Sequence, residues 1–213
     1  MNITYEQLLR GCLLSSIAHA IMTNAYPELS YEQSWDGNNY SIQDENGRRA
    51  TISFLDNCCI GAVRSECRNT IQGLDAIKEC MLAFPANLQH VAETETLQYL
   101  LVEHNNMIVP SVTSVFWCDK NGLYTNYARF RFFQDDISIF EICFLPLDAA
   151  LKALTSYYDM EPAASRLLLT LWEQKSSCFS SKIILSEEQK LMLPGEFIHG
   201  ACVESLSELN IFI

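Results

Sequence analysis

Nine cysteines and four histidines in 213 residues raise metal binding and thiol chemistry first. A structural zinc site draws on short paired spacings such as C-x2-C. Cys12, Cys58, Cys59, Cys67, Cys80, Cys118, Cys143, Cys178 and Cys202 contain no such pair. In a strand, adjacent Cys58 and Cys59 point to opposite faces, so they are poorly placed to share an ion. His199 and Cys202 make half a site and nothing completes it. The expectation is no metal and no cofactor. Cysteine nucleophiles need a thiolate and a nearby base. Cys59 with His90 or His104 is the pairing to weigh; the favoured reading puts Cys59 in a strand core and both histidines on exposed helix faces. G-x-S-x-G, H-E-x-x-H and clustered glycines are absent. No catalytic residue is assigned.

Carboxylates occur in adjacent pairs at Asp44-Glu45, Asp135-Asp136 and Glu187-Glu188. General acid/base work needs two carboxyls held apart around a substrate, which adjacency does not supply. Glu187 and Glu188 suit a helix first turn, where they complement the dipole. The aromatics say more. Trp35 precedes the turn residues Asp36-Gly37, and Trp117 precedes the turn from Asp119 to Gly122. Aromatics beside acids at hairpin ends have the make-up of a protein-binding surface, in which Trp and Tyr anchor and charge steers. Trp35, Asp36, Tyr40, Asp44, Glu45, Trp117, Asp119, Tyr124, Asp135 and Asp136 are the candidate binding residues. The competing reading packs both tryptophans in the core.

The elements that must position these residues are legible in outline. Thr4 to Gln7 has the form of a capping box, and Leu9, Leu13, Ile17 and Ile21 form a helical stripe that must end before Pro27. From Tyr31 to Val63 the period falls to two. Turn signals at Asp36-Gly37, Asn46-Gly47 and Asp56-Asn57 divide this stretch into a four-stranded antiparallel meander packed on the first helix. Leu74–Phe84 and Thr94–His104 read as helical. Val112–Cys118 reads as a strand before the Asn121-Gly122 turn, and Phe130–Leu145 suggests more strand. Helices are expected from Pro146 (Leu147, Leu151, Leu154, Tyr158), from Pro162 (Ala164, Leu167, Leu168, Leu171, Trp172), at Ser186 to Gln189 and over Gly200–Leu209. The fold class is α+β: an N-terminal helix, an antiparallel meander and a mostly helical C-terminal third. One domain over 1–213 is expected, with 103–111 the boundary if it divides.

Hydrophobic residues make up 49% and charged residues 19%, values that favour folding. A formal net charge of −12 repels nucleic acid and anionic lipid and favours basic partners. No stretch reaches the ~18 clean apolar residues of a membrane span. Arg10 precedes the run from Gly11 to Ala20, but Glu6 lies upstream, no lysine does, and Ser15, Ser16 and His19 break the run, unlike an export signal. With an odd number of cysteines among apolar neighbours, a cytoplasmic location is expected.

The run Tyr26 to Ile42 (YPELSYEQSWDGNNYSI), its continuation through Gly47 to Ala50–Phe54, and Val115 to Tyr124 (VFWCDKNGLY) resemble a family of bacterial cytosolic proteins associated with immunity to polymorphic toxins. The resemblance covers about a quarter of the chain. It implies tight binding to a toxin, and carries no catalytic motif. A basic toxin domain would suit an acidic chain. The expectation is therefore a protein-binding immunity protein rather than an enzyme. An enzyme or small-ligand binder with a site lined by Cys59, His90 or His104 is the alternative.

Overall fold

The structure is a computed structural model and describes residues 3–213. In chain order it has helix α1 (Tyr5–Met22) and strands β1 (Gln33–Asp36), β2 (Asn39–Gln43), β3 (Arg48–Phe54), β4 (Cys58–Ser65) and β5 (Ile71–Gln72). Helices α2 (Leu74–Cys80) and α3 (Ala86–Thr94) follow, then strands β6 (Leu101–His104), β7 (Met107–Val112), β8 (Ser114–Asp119) and β9 (Gly122–Thr125). The remainder is α4 (Phe133–Asp136), α5 (Leu147–Tyr157), α6 (Pro162–Ser177), β10 (Ile183–Ile184), α7 (Glu187–Lys190), α8 (Gly200–Glu208) and β11 (Ile211–Phe212). Three 3-10 helices cover Pro27–Leu29, Thr96–Leu100 and Ile137–Phe144. This is the α+β class. The chain forms two compact units: residues up to Glu6 with Asn38–Glu141, and Gln7–Gly37 with Ile142–Ile213.

The first unit is built on an antiparallel sheet in which β2, β3, β4, β8 and β9 lie side by side. Its register sets Ile52 opposite Gly61, Gly61 opposite Phe116, and Phe116 opposite Thr125. Alternation then sorts side chains to two faces. On one face Tyr40 and Phe116 meet Phe140, Phe116 also meets Phe133, and Tyr5 sits edge-on to Phe54. The other face is covered by α3 and Thr96–Leu100, where the Ser53 and Thr96 hydroxyls share a buried hydrogen bond of 2.7 Å. A smaller sheet sets β7 between β5 and β6.

The Asn46-Gly47 and Asn121-Gly122 turns do not place both residues at positive φ; only the glycines do. Each turn is closed by an aspartate: Asp44 Oδ1 accepts from the Asn46 and Arg48 amides, and Asp119 Oδ1 from those of Asn121 and Gly122. A consecutive positive-φ pair occurs at Asn105 and Asn106 (φ 51° and 60°), between β6 and β7. Residues 103–111, the expected boundary, lie in this hairpin, and the helix expected over Thr94–His104 gives way to a 3-10 turn and β6. Asparagine tolerates the left-handed region, so two in a row can close a tight hairpin.

In the second unit α1 is the spine. From Cys12 to Met22 every residue is buried, rather than the expected single stripe. A helix apolar on all sides is one packed on all sides. Gly11 permits the closest approach: a Cβ there would lie 2.0 Å from the Cys143 carbonyl oxygen. The Trp172 indole donates to the Arg10 carbonyl, and the Arg10 guanidinium lies 4.9 Å from the Trp172 ring. The Asn24 side chain donates to the Pro194 and Phe197 carbonyls and accepts from the His199 amide. Helix α6 buries all five of its expected face residues, and Ser186 and Gln189 form the reciprocal capping box of α7. β10 pairs with β11 in parallel.

The strand suggested over Phe130–Leu145 is helical instead. Within Ile137–Phe144 the buried positions are Ile137, Phe140 and Cys143, one in three, which is the repeat of a 3-10 helix rather than of a strand.

Candidate functional site

The ten candidate binding residues do not share one face. Trp35 is 4% exposed: its indole N–H donates to Ser16 Oγ at 2.7 Å and its ring packs on Phe179. Tyr40 is 0% exposed and belongs to the sheet core of the first unit. Asp136 is buried as well. These three give a partner no surface to touch, because filling the core against neighbouring layers took precedence over turn-end display. Asp36 is exposed beside Gly37. The remaining six fall at opposite ends of the first unit's sheet.

At the end where β3 begins and β4 finishes lie Asp44, Glu45 and Asp135, with Asp136 beneath. Most of these acids are engaged by arginines. Arg48 Nε meets Asp44 Oδ2 at 2.7 Å, and its Nη1 donates to Ser138 Oγ and the Asp135 carbonyl. Arg68 Nη2 meets Asp135 Oδ2 at 3.0 Å, and its Nε lies 3.6 Å from Asp136 Oδ1. Asp136 Oδ2 accepts a short hydrogen bond from Ser114. The Arg68 guanidinium lies 4.5 Å from the centre of the Phe132 ring. A shallow groove of about 610 Å³ opens here, lined by Glu66, Cys67, Arg68, Asn69, Phe132 and Asp135. Sequence reading singled out the acids and missed their arginines, since each ion pair except Asp44–Arg48 joins residues far apart in the chain.

At the other end Trp117 and Tyr124 are cross-strand partners with stacked rings, 4.3 Å between centroids and 21° between planes. Tyr124 is exposed and Trp117 half-buried. Asp119 closes the turn beside them. Asp56, exposed on the neighbouring β3–β4 turn, and Asp119 both act on Cys58: burial first, then these two carboxylates, push that thiol up. An aromatic pair and two acids thus occupy one strand-held edge.

The thiol alternative finds no assembled geometry. Cys59 is fully buried opposite Cys118, and burial, reinforced by Cys118, pushes its thiol well above the usual range. His90 and His104 are exposed. Among the described residues no three of His, Cys, Asp and Glu gather in a way that could hold a metal ion. No helix of the described residues is long and apolar enough to cross a membrane.

A buried polar network in the second unit escaped the sequence reading. His19 is 1% exposed; its Nδ1 lies 3.2 Å from the Tyr158 hydroxyl, and its Nε2 has no hydrogen-bond partner. Burial pulls its pKa down to about 4, only partly offset by the backbone of Ser30. Ser15 donates to Gln33, and Glu208 Oε2 accepts from the Trp35 amide. A cavity of about 10 Å³, room for about one water, lies among Ser16, His19, Gln33, Trp35, Ser205 and Glu208. A void of that size admits no substrate. The available signal was Ser15, Ser16 and His19 interrupting an otherwise apolar helix.

Comparison with known proteins finds no matching protein-family model, no matching curated protein and no matching solved structure.

Proposed function

We propose that this chain acts by binding another protein, in the manner of an immunity protein that neutralises a toxin by direct contact. The observation that carries the reading is the Trp117–Tyr124 stack flanked by Asp56 and Asp119. Stacked aromatics on paired strands present apolar area with little side-chain entropy left to lose, and that is what a binding anchor requires. The acids beside them, in a chain of net charge −12, steer a basic partner toward this edge. A basic toxin domain is the partner the charge selects, and its neutralisation would take place in the cytoplasm.

The test is a pull-down from the native cell with the wild-type chain and with Tyr124→Ala and Asp56→Arg. The expected result is one stoichiometric, basic protein recovered by the wild type and lost by the double variant, whose circular dichroism is unchanged. Recovery of no protein, or equal recovery by both chains, would remove this edge as the binding surface.

A further inference from the structure

We propose that the exposed segment 127–132, with the groove beside Arg68, is a docking site for an acidic peptide segment of a partner protein. The segment is pinned from beneath by Phe130 and Phe133, both buried, and holds Tyr127, Arg129, Arg131 and Phe132 outward. Tyr127 is 52% exposed and Phe132 58%. Among the described residues neither Arg129 nor Arg131 has a carboxylate within ion-pair reach. In a chain with 26 acidic and 14 basic side chains, two unpaired arginines one residue apart invert the local charge.

At the adjoining sheet end Arg48, Arg64 and Arg68 are matched by carboxylates, so the unmatched positive charge belongs to Arg129 and Arg131. Arg49 stands across from Arg64 on β3 and β4, and Arg64 is neutralised by Glu66 at 2.9 Å. Phe132 lines the groove with its ring already under the Arg68 guanidinium. Guanidinium forks grip carboxylates through two parallel hydrogen bonds, and the exposed rings supply the water-excluding contact that makes such bonds count. A peptide fits better than a nucleic acid. Glu66 and Asp135 also line the groove, and a continuous phosphate backbone would have to pass both, against the field of the whole chain. A peptide can place its carboxylates singly, against the arginines alone. This surface is distinct from the Trp117–Tyr124 edge and would take a partner of opposite charge.

Fluorescence anisotropy on the full chain tests it, with two labelled probes: a short poly-glutamate peptide and a single-stranded oligonucleotide of equal charge. The expected result is peptide binding that weakens as salt rises, falls at least about tenfold in the doubly substituted Arg129→Glu, Arg131→Glu chain, and weakens several-fold in Phe132→Ala. Both arginines are exposed, and circular dichroism checks that the fold persists. Equal peptide affinity for the wild type and the double variant, no peptide binding at low salt, or tighter binding of the oligonucleotide would each overturn the proposal.

Discussion

The ring of Phe116 occupies the space that a side chain on Gly61 would need: a Cβ there would lie 2.3 Å from the ring's Cζ. The two residues are cross-strand partners at the centre of the first unit's sheet, and Phe116 is fully buried against Phe133 and Phe140. The ring therefore has nowhere to retreat. Gly61→Ala is expected to cost roughly 1–3 kcal/mol through overpacking, read as a lower urea midpoint. An unchanged midpoint would mean that the ring can move aside.

Asp136 is the buried member of the charged network at the β3–β4 sheet end. Its partners are the Ser114 hydroxyl and Arg68. Removing a buried acceptor leaves its donor without a partner. Arg68 keeps its ion pair with Asp135, so Asp136→Ala chiefly strands the buried Ser114 hydroxyl and is expected to cost roughly 1–3 kcal/mol, whereas Asp135→Ala, whose carboxylate is exposed, should cost under about 1 kcal/mol. Chemical denaturation separates the two, and equal losses would contradict the burial argument.

His19 makes stability depend on pH with a definite sign. Its pKa falls from the ordinary 6.5 to about 4 on folding because burial disfavours the charged ring. Between these values the unfolded chain binds a proton that the folded chain does not, so stability falls as pH drops from about 6.5 to about 4 and levels off below. The loss is on the order of 3 kcal/mol. Glu208 is pushed up by burial and titrates with the opposite sign, losing its contribution as pH rises. It is common to wild type and His19→Gln, so the difference between their denaturation curves isolates His19. A pH-independent difference would show that His19 does not titrate as a buried neutral ring.

The cysteines should separate by access. Cys67 and Cys178 are exposed, while Cys59 and Cys202 are buried with thiols pushed up by burial, that of Cys202 to about 12. A thiol reagent at neutral pH is expected to modify Cys67 and Cys178 first and to leave Cys59 and Cys202 untouched until the chain unfolds. Peptide mapping by mass spectrometry reads the order. Early labelling of Cys59 would revive the nucleophile reading set aside on its burial.

What the sequence could determine by itself was whatever neighbouring residues settle among themselves. The capping box at Ser186 and Gln189, the stripe of α6 and the four strands from Gln33 to Ser65 are written in spacings of two to four residues, and each formed as read. Even the Phe130–Leu145 error was local: its one-in-three burial repeat was present, but alternation and apolar content outweighed it. The tertiary structure alone decided which side chains face solvent and which charges meet. Trp35 and Tyr40 carry the residue types of an interface and were taken into the core. Asp135 and Asp136 read as a solvated acidic pair until Arg68, remote in the chain, came within reach. His19 became a neutral ring with one nitrogen on Tyr158 and the other without a partner because α1 is packed on all sides. Burial and long-range Coulomb pairing depend on what packs from elsewhere in the chain, and no local window contains that information.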